Sequence, residues 1–349
     1  MTAAPSTEHP APSTEHPAPR TQHPPFVPRR RLENGHWMTI FCWAARRRLQ
    51  LPEPEARQFQ VTSDTQVLAH CYWQPDRHAH PTILALHGLE GSSAAHYMLG
   101  IADKALRAGF NAILLNQRNC GGTEHLGPGL YHSGLIDDAA FVIREIARTD
   151  RIDRVVAAGY SLGGNLALRL AGTHPRADLP QLRGVCAVSP AIELEACVRA
   201  LERTSNAVYQ WNFVRNLKGR MKRKNACFPG GFDLTRLGAI RTVRQFDAAY
   251  TAPYFGFGSA EDYYHRAAAL RVVDRIEVPA LIITAEDDPF VPVEPFHDPK
   301  LAGNPNITLV VTKHGGHCGF LAASHDEDDG YWAEQQIVDF AGRVSRNVT

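Results

Sequence analysis

Three short stretches of this 349-residue chain carry residue types that together can attack an acyl carbon. The first is Gly159-Tyr160-Ser161-Leu162-Gly163, a G-x-S-x-G spacing between the apolar run Val155 to Ala158 and a helical pattern from Asn165. A sharp strand-to-helix turn strains the backbone of its serine, and only flanking glycines let neighbouring backbone approach that closely. The turn lifts the hydroxyl clear of the sheet to a helix N-terminus, where free N–H groups favour developing negative charge. Ser161 is therefore a candidate nucleophile; a plain helix cap is the competing reading, and five residues alone do not choose between them. The second stretch, Glu286-Asp287-Asp288-Pro289, follows the apolar run 280–285, and the third, His314-Gly315-Gly316-His317-Cys318, follows the run 307–313. A histidine takes the serine proton and returns it to the leaving group, while a carboxylate sets the tautomer and stabilises the imidazolium. His317 lies beyond two glycines that let the chain fold over the nucleophile, so it is the candidate base; His314 reads as structural. Asp288 precedes a proline, which biases it to extended backbone, and is the candidate acid. Asp287 is the alternative acid. The developing oxyanion needs two backbone N–H groups. Leu162, directly after the nucleophile, supplies one, and Leu89 in "HGLEGSS" (87–93) is the candidate for the other, with Ser92 or Ser93 capping a helix at 94.

These residues need elements to hold them. A hairpin is expected over 59–73, turning at Ser63-Asp64, with strands at 81–88, 111–117, 155–158, 183–190, 279–286 and 307–313. Helices are expected near 94–109 and 135–148, from 165 onward, and near 329–345. Strands alternating with helices at this spacing predict an α/β protein with a doubly wound, mostly parallel sheet. The three chemical stretches then all fall at C-terminal ends of strands, where open α/β sheets place their sites. Between about 191 and 275 the alternation lapses into polar and aromatic helical segments, which predicts a helical cap insertion. Most aromatics there, such as Tyr209, Phe213 and Tyr263, serve cap packing, and a few line an acyl pocket. The basic run 215–224 reads as a solvated cap helix.

The net charge is +1, from 37 Lys+Arg against 36 Asp+Glu, which leaves no global field to draw nucleic acid. Seven cysteines are scattered without a C-x-x-C pair and read as free thiols in a reducing compartment. No apolar run reaches the ~18 residues of a membrane span. No hydrophobic stretch near the N-terminus resembles a signal peptide, so a cytoplasmic location is expected. Residues 1–28 contain "APSTEHP" at 4–10 and 11–17 and "APRTQHP" at 18–24, too polar to fold, and form a disordered tail in which His9, His16 and His23 merely follow the repeat. The folded domain is expected over 29–349, with a docking segment at 29–55. Within it, Trp37, Met38, Ile40, Phe41 and Trp43 lie between two arginine triplets. The favoured reading is a helix docking its aromatics on the domain beside the pocket mouth, arginines outward; the other is a basic amphipathic anchor in peripheral contact with an anionic membrane.

Taken together, "HGLEGSSAAHY", "NQRNCGG" (116–122), "LYHSG" (130–134), "GYSLGGN", "GGHCGF" and the early "LENGHWMTI" resemble the YheT-type branch of the α/β-hydrolase superfamily. The resemblance covers nearly the whole chain outside the repeat. It implies an α/β-hydrolase fold and a carboxylic ester hydrolase, with Ser161 as nucleophile, His317 as base and Asp288 as acid. Relatives in this branch include medium-chain ester synthases and phospholipases. Two departures stand out: Gly35 where proline usually precedes the histidine (here His36), and apolar Leu135-Ile136 after "YHSG", where an acidic residue is common. The expected activity is cleavage of small-molecule or lipid esters with short to medium acyl chains through an acyl-enzyme, with no metal or organic cofactor required. An alcohol acyltransferase or lipid-ester lipase is the alternative within enzymes. A non-catalytic binding protein on this fold would often lack a triad member, and all three are present.

Overall fold

Strands β3 (Thr82–Leu86), β4 (Asn111–Leu115) and β5 (Val155–Tyr160) carry apolar residues without alternation and are buried at every position. That pattern suits only the interior of a parallel sheet covered on both faces. The computed structural model describes residues 25–324 and 329–346; the repeat over 1–24, with the expectation made for it, lies outside the described residues. Strands β1 (Glu55–Thr62) and β2 (Thr65–Tyr72) form the expected hairpin, paired Gln60 to Gln66 and Thr62 to Thr65. With β6 (Leu182–Val188), β7 (Ala280–Ala285) and β8 (Ile307–Thr312) they complete an eight-stranded sheet of order β1-β2-β4-β3-β5-β6-β7-β8. Only β2 runs against its neighbours; every pairing from β4 to β8 is parallel. Strand order reverses around β3, and the loops leaving β3 and β5 at that switch point carry Leu89 and Ser161.

Two cores flank the sheet. Ile83 and Ala85 face α2 (His96–Arg107) and the C-terminal helix Trp332–Arg346, while Leu84 and Leu86 face α3 (Asp137–Asp150), α4 (Leu162–Thr173) and the cap. The cap comprises α5 (Leu194–Leu201), the 21-residue α6 (Ala207–Cys227), a π-helical turn at Asp247–Thr251 and the helix Ala260–Ala267. Helix α6 is not simply solvated. Arg220 and Lys224 share a stripe with Val214, Leu217 and Met221, all buried. Lys224 Nζ donates to Asn119 Oδ1 (2.6 Å), to Glu124 O (2.9 Å) and to Gly127 O, tying the cap to the loop after β4.

The N-terminal segment departs from the favoured expectation. Phe26 packs its ring against Phe320 and Trp332, at 5.8 and 5.5 Å, so contacts with the domain begin ahead of residue 29. Helix α1 (Gly35–Ala44) is capped by the Asn34 side chain, but it buries Gly35, Met38 and Cys42 and turns Trp37, Ile40, Phe41 and Trp43 outward. A helix apolar all round can seat either face, and here the smaller side chains fit against the 315–321 loop. Arg47 reverses the expectation as well. It points inward, pairing with the buried Glu334 at 2.5 Å and lying 3.6 Å from the Tyr331 ring centroid, because a buried carboxylate needs a partner. Helix α2 also starts later than expected and has no side-chain cap. Ser92 Oγ accepts from Ala94 N (3.2 Å), while Ser93 turns inward to Asn116 and His70.

Candidate active site

Ser161 joins β5 to α4 with φ 54° and ψ −117°, a conformation that non-glycine residues avoid. The turn closes so tightly that a side chain at Gly159 would strike Gly163 O, and one at Gly163 would strike Leu86 O. The strain is held from outside the turn: Ser161 N–H donates to Val188 O (2.9 Å), and Ser161 C=O accepts from Asn165 N (3.0 Å) and Ala191 N (3.2 Å). Its side chain makes no capping bond, so the helix-cap reading fails and the hydroxyl stays uncommitted in a cleft.

On the loop after β8, His317 Nδ1 lies 2.8 Å from Asp288 Oδ2. Asp288 is fully buried, and its other oxygen accepts from Phe290 N (3.0 Å) and Val291 N (2.9 Å), so three donors converge on one carboxylate. The Phe290 ring covers the imidazole with centroids 4.0 Å apart. Burial disfavours charge on His317, but the adjacent Asp288 carboxylate, with smaller help from Cys318, outweighs it and raises the ring above its ordinary value. Asp287 points elsewhere: Oδ1 accepts from Gly316 N (2.9 Å) and Oδ2 lies 3.3 Å from His314 Nδ1. The two runner-up residues thus hold each other and steady the histidine loop. Thr39 of α1 steadies it from the other side, accepting from His317 N at 2.8 Å and donating to Gly35 O at 2.6 Å. Gly35 abuts Asp287 so closely that any Cβ there would strike Asp287 O.

The loop after β3 runs beside Ser161, a Cβ at Gly88 falling 3.2 Å from Ser161 Cβ. Gly88 N donates to Tyr97 Oη (3.0 Å), Glu90 N to Tyr131 Oη (3.3 Å) and Gly91 N to Gly88 O (3.0 Å). Among the described residues the Leu89 N–H between them has no acceptor, and Leu162 opens α4, where first-turn N–H groups lack intrahelical partners. His87 braces the loop: its Nε2 accepts from Gln117 N (3.1 Å), and burial lowers its pKa to about 4, so it stays neutral.

The sequence pattern of the alpha/beta hydrolase fold matches residues 81–323. YheT of Escherichia coli (strain K12), named as an esterase, is 32% identical over 90% of this chain and 92% of its own. This chain is an α/β-hydrolase of the YheT type. The phospholipase ABHD3 of Mus musculus is 27% identical over 86% of this chain and 75% of its own. The monoacylglycerol lipase of Saccharomyces cerevisiae is 27% identical over 78% of this chain and 62% of its own. Among solved structures, a 2,6-dihydroxy-pseudo-oxynicotine hydrolase superposes with a TM-score of 0.58 at 17% identity, over 84% of this chain and 68% of that one. An esterase of Pyrococcus furiosus superposes with a TM-score of 0.52 at 18% identity, over 86% and 98%. These superpositions establish the fold.

In this α/β-hydrolase the cap roofs a narrow cleft that runs from Ser161 and Leu89 between Leu194, Val198, Leu201 and Leu217 to Phe246. A roomier hollow among Pro81, Gly109, Arg154 and Arg343 lies at the opposite ends of the strands, away from Ser161, and lacks any histidine. The main cleft has polar groups that sequence reading did not single out. Arg220 Nη1 pairs with Glu90 at 2.5 Å, both buried, and so fixes the loop bearing Leu89 from the cap side. Asp247, on the π-helical turn, bonds Thr251 (2.7 Å) and Tyr264 (2.8 Å), and burial raises its carboxyl to about 6. His132 packs 4.3 Å from Phe255, and burial, helped by Arg169 and Arg118, lowers it to about 3, leaving a neutral ring. A signal for Arg220 existed: it falls at helical spacing from Val214, Leu217 and Met221.

Proposed function

We propose that this chain is a serine esterase that cleaves carboxylic esters of short to medium acyl chains, lipid esters among them. The observation that carries the reading is the buried His317–Asp288 pair together with an uncapped, strained Ser161, all on loops leaving C-terminal ends of strands of one sheet. In this mechanism Ser161 Oγ attacks the ester carbonyl as His317 Nε2 takes its proton, and the negative charge on the carbonyl oxygen is met by the Leu89 and Leu162 N–H groups. Collapse expels the alcohol, protonated by His317, and leaves an acyl-Ser161. Water, deprotonated by His317, then releases the carboxylic acid. Asp288 keeps the Nδ1 proton in place and stabilises the imidazolium at each transfer. The aliphatic lining from Leu194 to Phe246 suits an acyl chain, and the named activities of relatives are esterase, phospholipase and monoacylglycerol lipase.

The test compares the wild type with Ser161→Ala on p-nitrophenyl esters of graded acyl length, together with fluorophosphonate labelling read by mass spectrometry. Turnover that vanishes in a folded Ser161→Ala protein, with label on Ser161 alone, supports the reading. An inert, unlabelled wild type overturns it. Added ethanol in the same assay separates hydrolysis from acyl transfer through formation of the ethyl ester.

A further inference from the structure

Nine large apolar side chains stand exposed among the described residues, and four of them belong to the ten-residue α1: Trp37 (65%), Ile40 (42%), Phe41 (42%) and Trp43 (73%). At about 100° per residue these four span an arc of roughly 160°, opposite the buried Gly35, Met38 and Cys42. Two more, Val208 and Trp211, stand at the start of α6. They adjoin α1, because His36 stacks on Tyr209 with centroids 5.8 Å apart and its Nδ1 lies 3.3 Å from Tyr209 Oη. Scattered exposed apolar residues are ordinary; six gathered on adjoining helix faces mark a surface that meets something.

The charges around this face say what it meets. Arg29, Arg30 and Arg31 precede α1 and Arg46 and Arg48 follow it, all exposed, with Glu33 the single acidic residue between positions 29 and 50. The outward stripe of α6 continues from Trp211 through Arg215, whose guanidinium lies 5.5 Å from the Trp211 ring centroid, to Lys222, and the helix contains no acidic residue. Aromatic residues ringed by cations match the headgroup layer of an anionic membrane, where indole rings sit at the interface and each cation adds to binding. A second copy of the chain would set these arginines against their own equivalents. The repeat over residues 1–24 contains no aromatic, Leu, Ile or Val with which to cover the patch. No helix among the described residues is long and apolar enough to cross a membrane, so contact means lying in the interface.

We propose that α1 and the start of α6 form a docking face for an anionic lipid surface, with Trp37 and Trp43 at the headgroup boundary. Rings link this face to the site: His36 to Tyr209, Tyr209 to Phe290 at 5.2 Å, and Phe290 to His317 at 4.0 Å. Docking therefore sets the bilayer within three ring contacts of His317. Delivery of lipid esters by this route rests on the esterase reading; the docking itself does not.

The test floats the full chain on vesicles of phosphatidylcholine mixed with phosphatidylglycerol, and on phosphatidylcholine alone. The wild type floats with the anionic vesicles, its tryptophan emission shifts to the blue, and high salt releases much of it. In Trp37→Ser/Phe41→Ser/Trp43→Ser the bound fraction falls at least ~tenfold, and in Arg46→Glu/Arg48→Glu it falls on anionic vesicles specifically. Both variants keep the wild-type melting temperature and the wild-type turnover of p-nitrophenyl butyrate without vesicles. A wild type that does not float, variants that float equally well, or a wild-type dimer that the triple variant splits into monomers would overturn the proposal. Vesicle binding by a protein that hydrolyses no ester leaves the docking intact and removes the esterase reading.

Discussion

Exchanging Asp288 for asparagine tests the candidate site at its most sharply defined contact. The asparagine keeps an oxygen for the Phe290 and Val291 N–H groups, now at 3.0 and 2.9 Å from Asp288 Oδ1. Its amide nitrogen then replaces the oxygen 2.8 Å from His317 Nδ1 and presents a proton where the carboxylate accepted one. The imidazole must shift its own proton to Nε2, the nitrogen required to receive the serine proton. The same exchange in a serine protease triad lowers kcat by about 10⁴, equivalent to roughly 5 kcal/mol of barrier. Asp287→Asn is the matched control, since asparagine can still accept from Gly316 N and touch His314, and it costs under about tenfold in kcat. The assay is kcat and kcat/KM on p-nitrophenyl butyrate from pH 5 to 10, with a thermal melt to establish folding. In wild type the rising limb, which follows loss of the His317 proton, has its midpoint above the ordinary 6.5 because Asp288 outweighs burial. In Asp288→Asn burial acts without that carboxylate and the residual activity's midpoint moves down. The linkage to stability has the same sign: the raised folded-state value makes the pair's contribution full below pH 6.5 and lost as pH rises through the folded value. If Asp287→Asn abolishes turnover while Asp288→Asn keeps it within tenfold, the assigned geometry is wrong.

Ser161→Gly removes the hydroxyl and relieves about 1–3 kcal/mol of backbone strain at φ 54°, so activity falls to background while the melting temperature rises; an unchanged or lower melting temperature would show the turn to be unstrained. Gly163→Ala drives a methyl into Leu86 O and destabilises the chain by about 3 kcal/mol or more, read by urea unfolding; a soluble protein of wild-type stability would contradict the packing described for the turn. Arg220→Met leaves Glu90 buried without its partner and costs about 3–5 kcal/mol, part of which Glu90→Gln restores in the double variant. A loss under about 1 kcal/mol in that single variant would mean that water already reaches the pair.

The sheet was legible because buried parallel strands such as β3 and β5 are unbroken apolar runs, and glycine or proline punctuates the turns between them. The cap insertion was visible as a lapse of that alternation. Orientation was harder to read. Helix α1 is apolar on every side, so periodicity could not say that Met38 and Cys42 face inward and Trp37 and Trp43 outward, and nothing local marked Arg47 as the inward arginine. Glu334, its partner, is 287 positions away in sequence. The adjacent Asp287 and Asp288 offered only the backbone bias before Pro289 as a discriminator, whereas the structure separates them by partner, His314 for one and His317 for the other. The brace between Glu90 and Arg220 joins the loop after β3 to the cap, and no spacing rule links elements that far apart.

The clamp of α1 on the histidine loop also sets a clock. Thr39 leaves the ribosome early, yet its partner His317 lies 278 residues later, which at 5–20 residues per second is roughly 14–56 s of synthesis. From residue 161 until residue 288 is reached the nascent chain contains the Ser161 turn but neither Asp288 nor His317, and the face of α1 that seats on the histidine loop stays uncovered. On the esterase reading, a chain arrested before residue 317 lacks its base and does not turn over an ester. On that reading competence arrives with the histidine loop, long after the Ser161 turn.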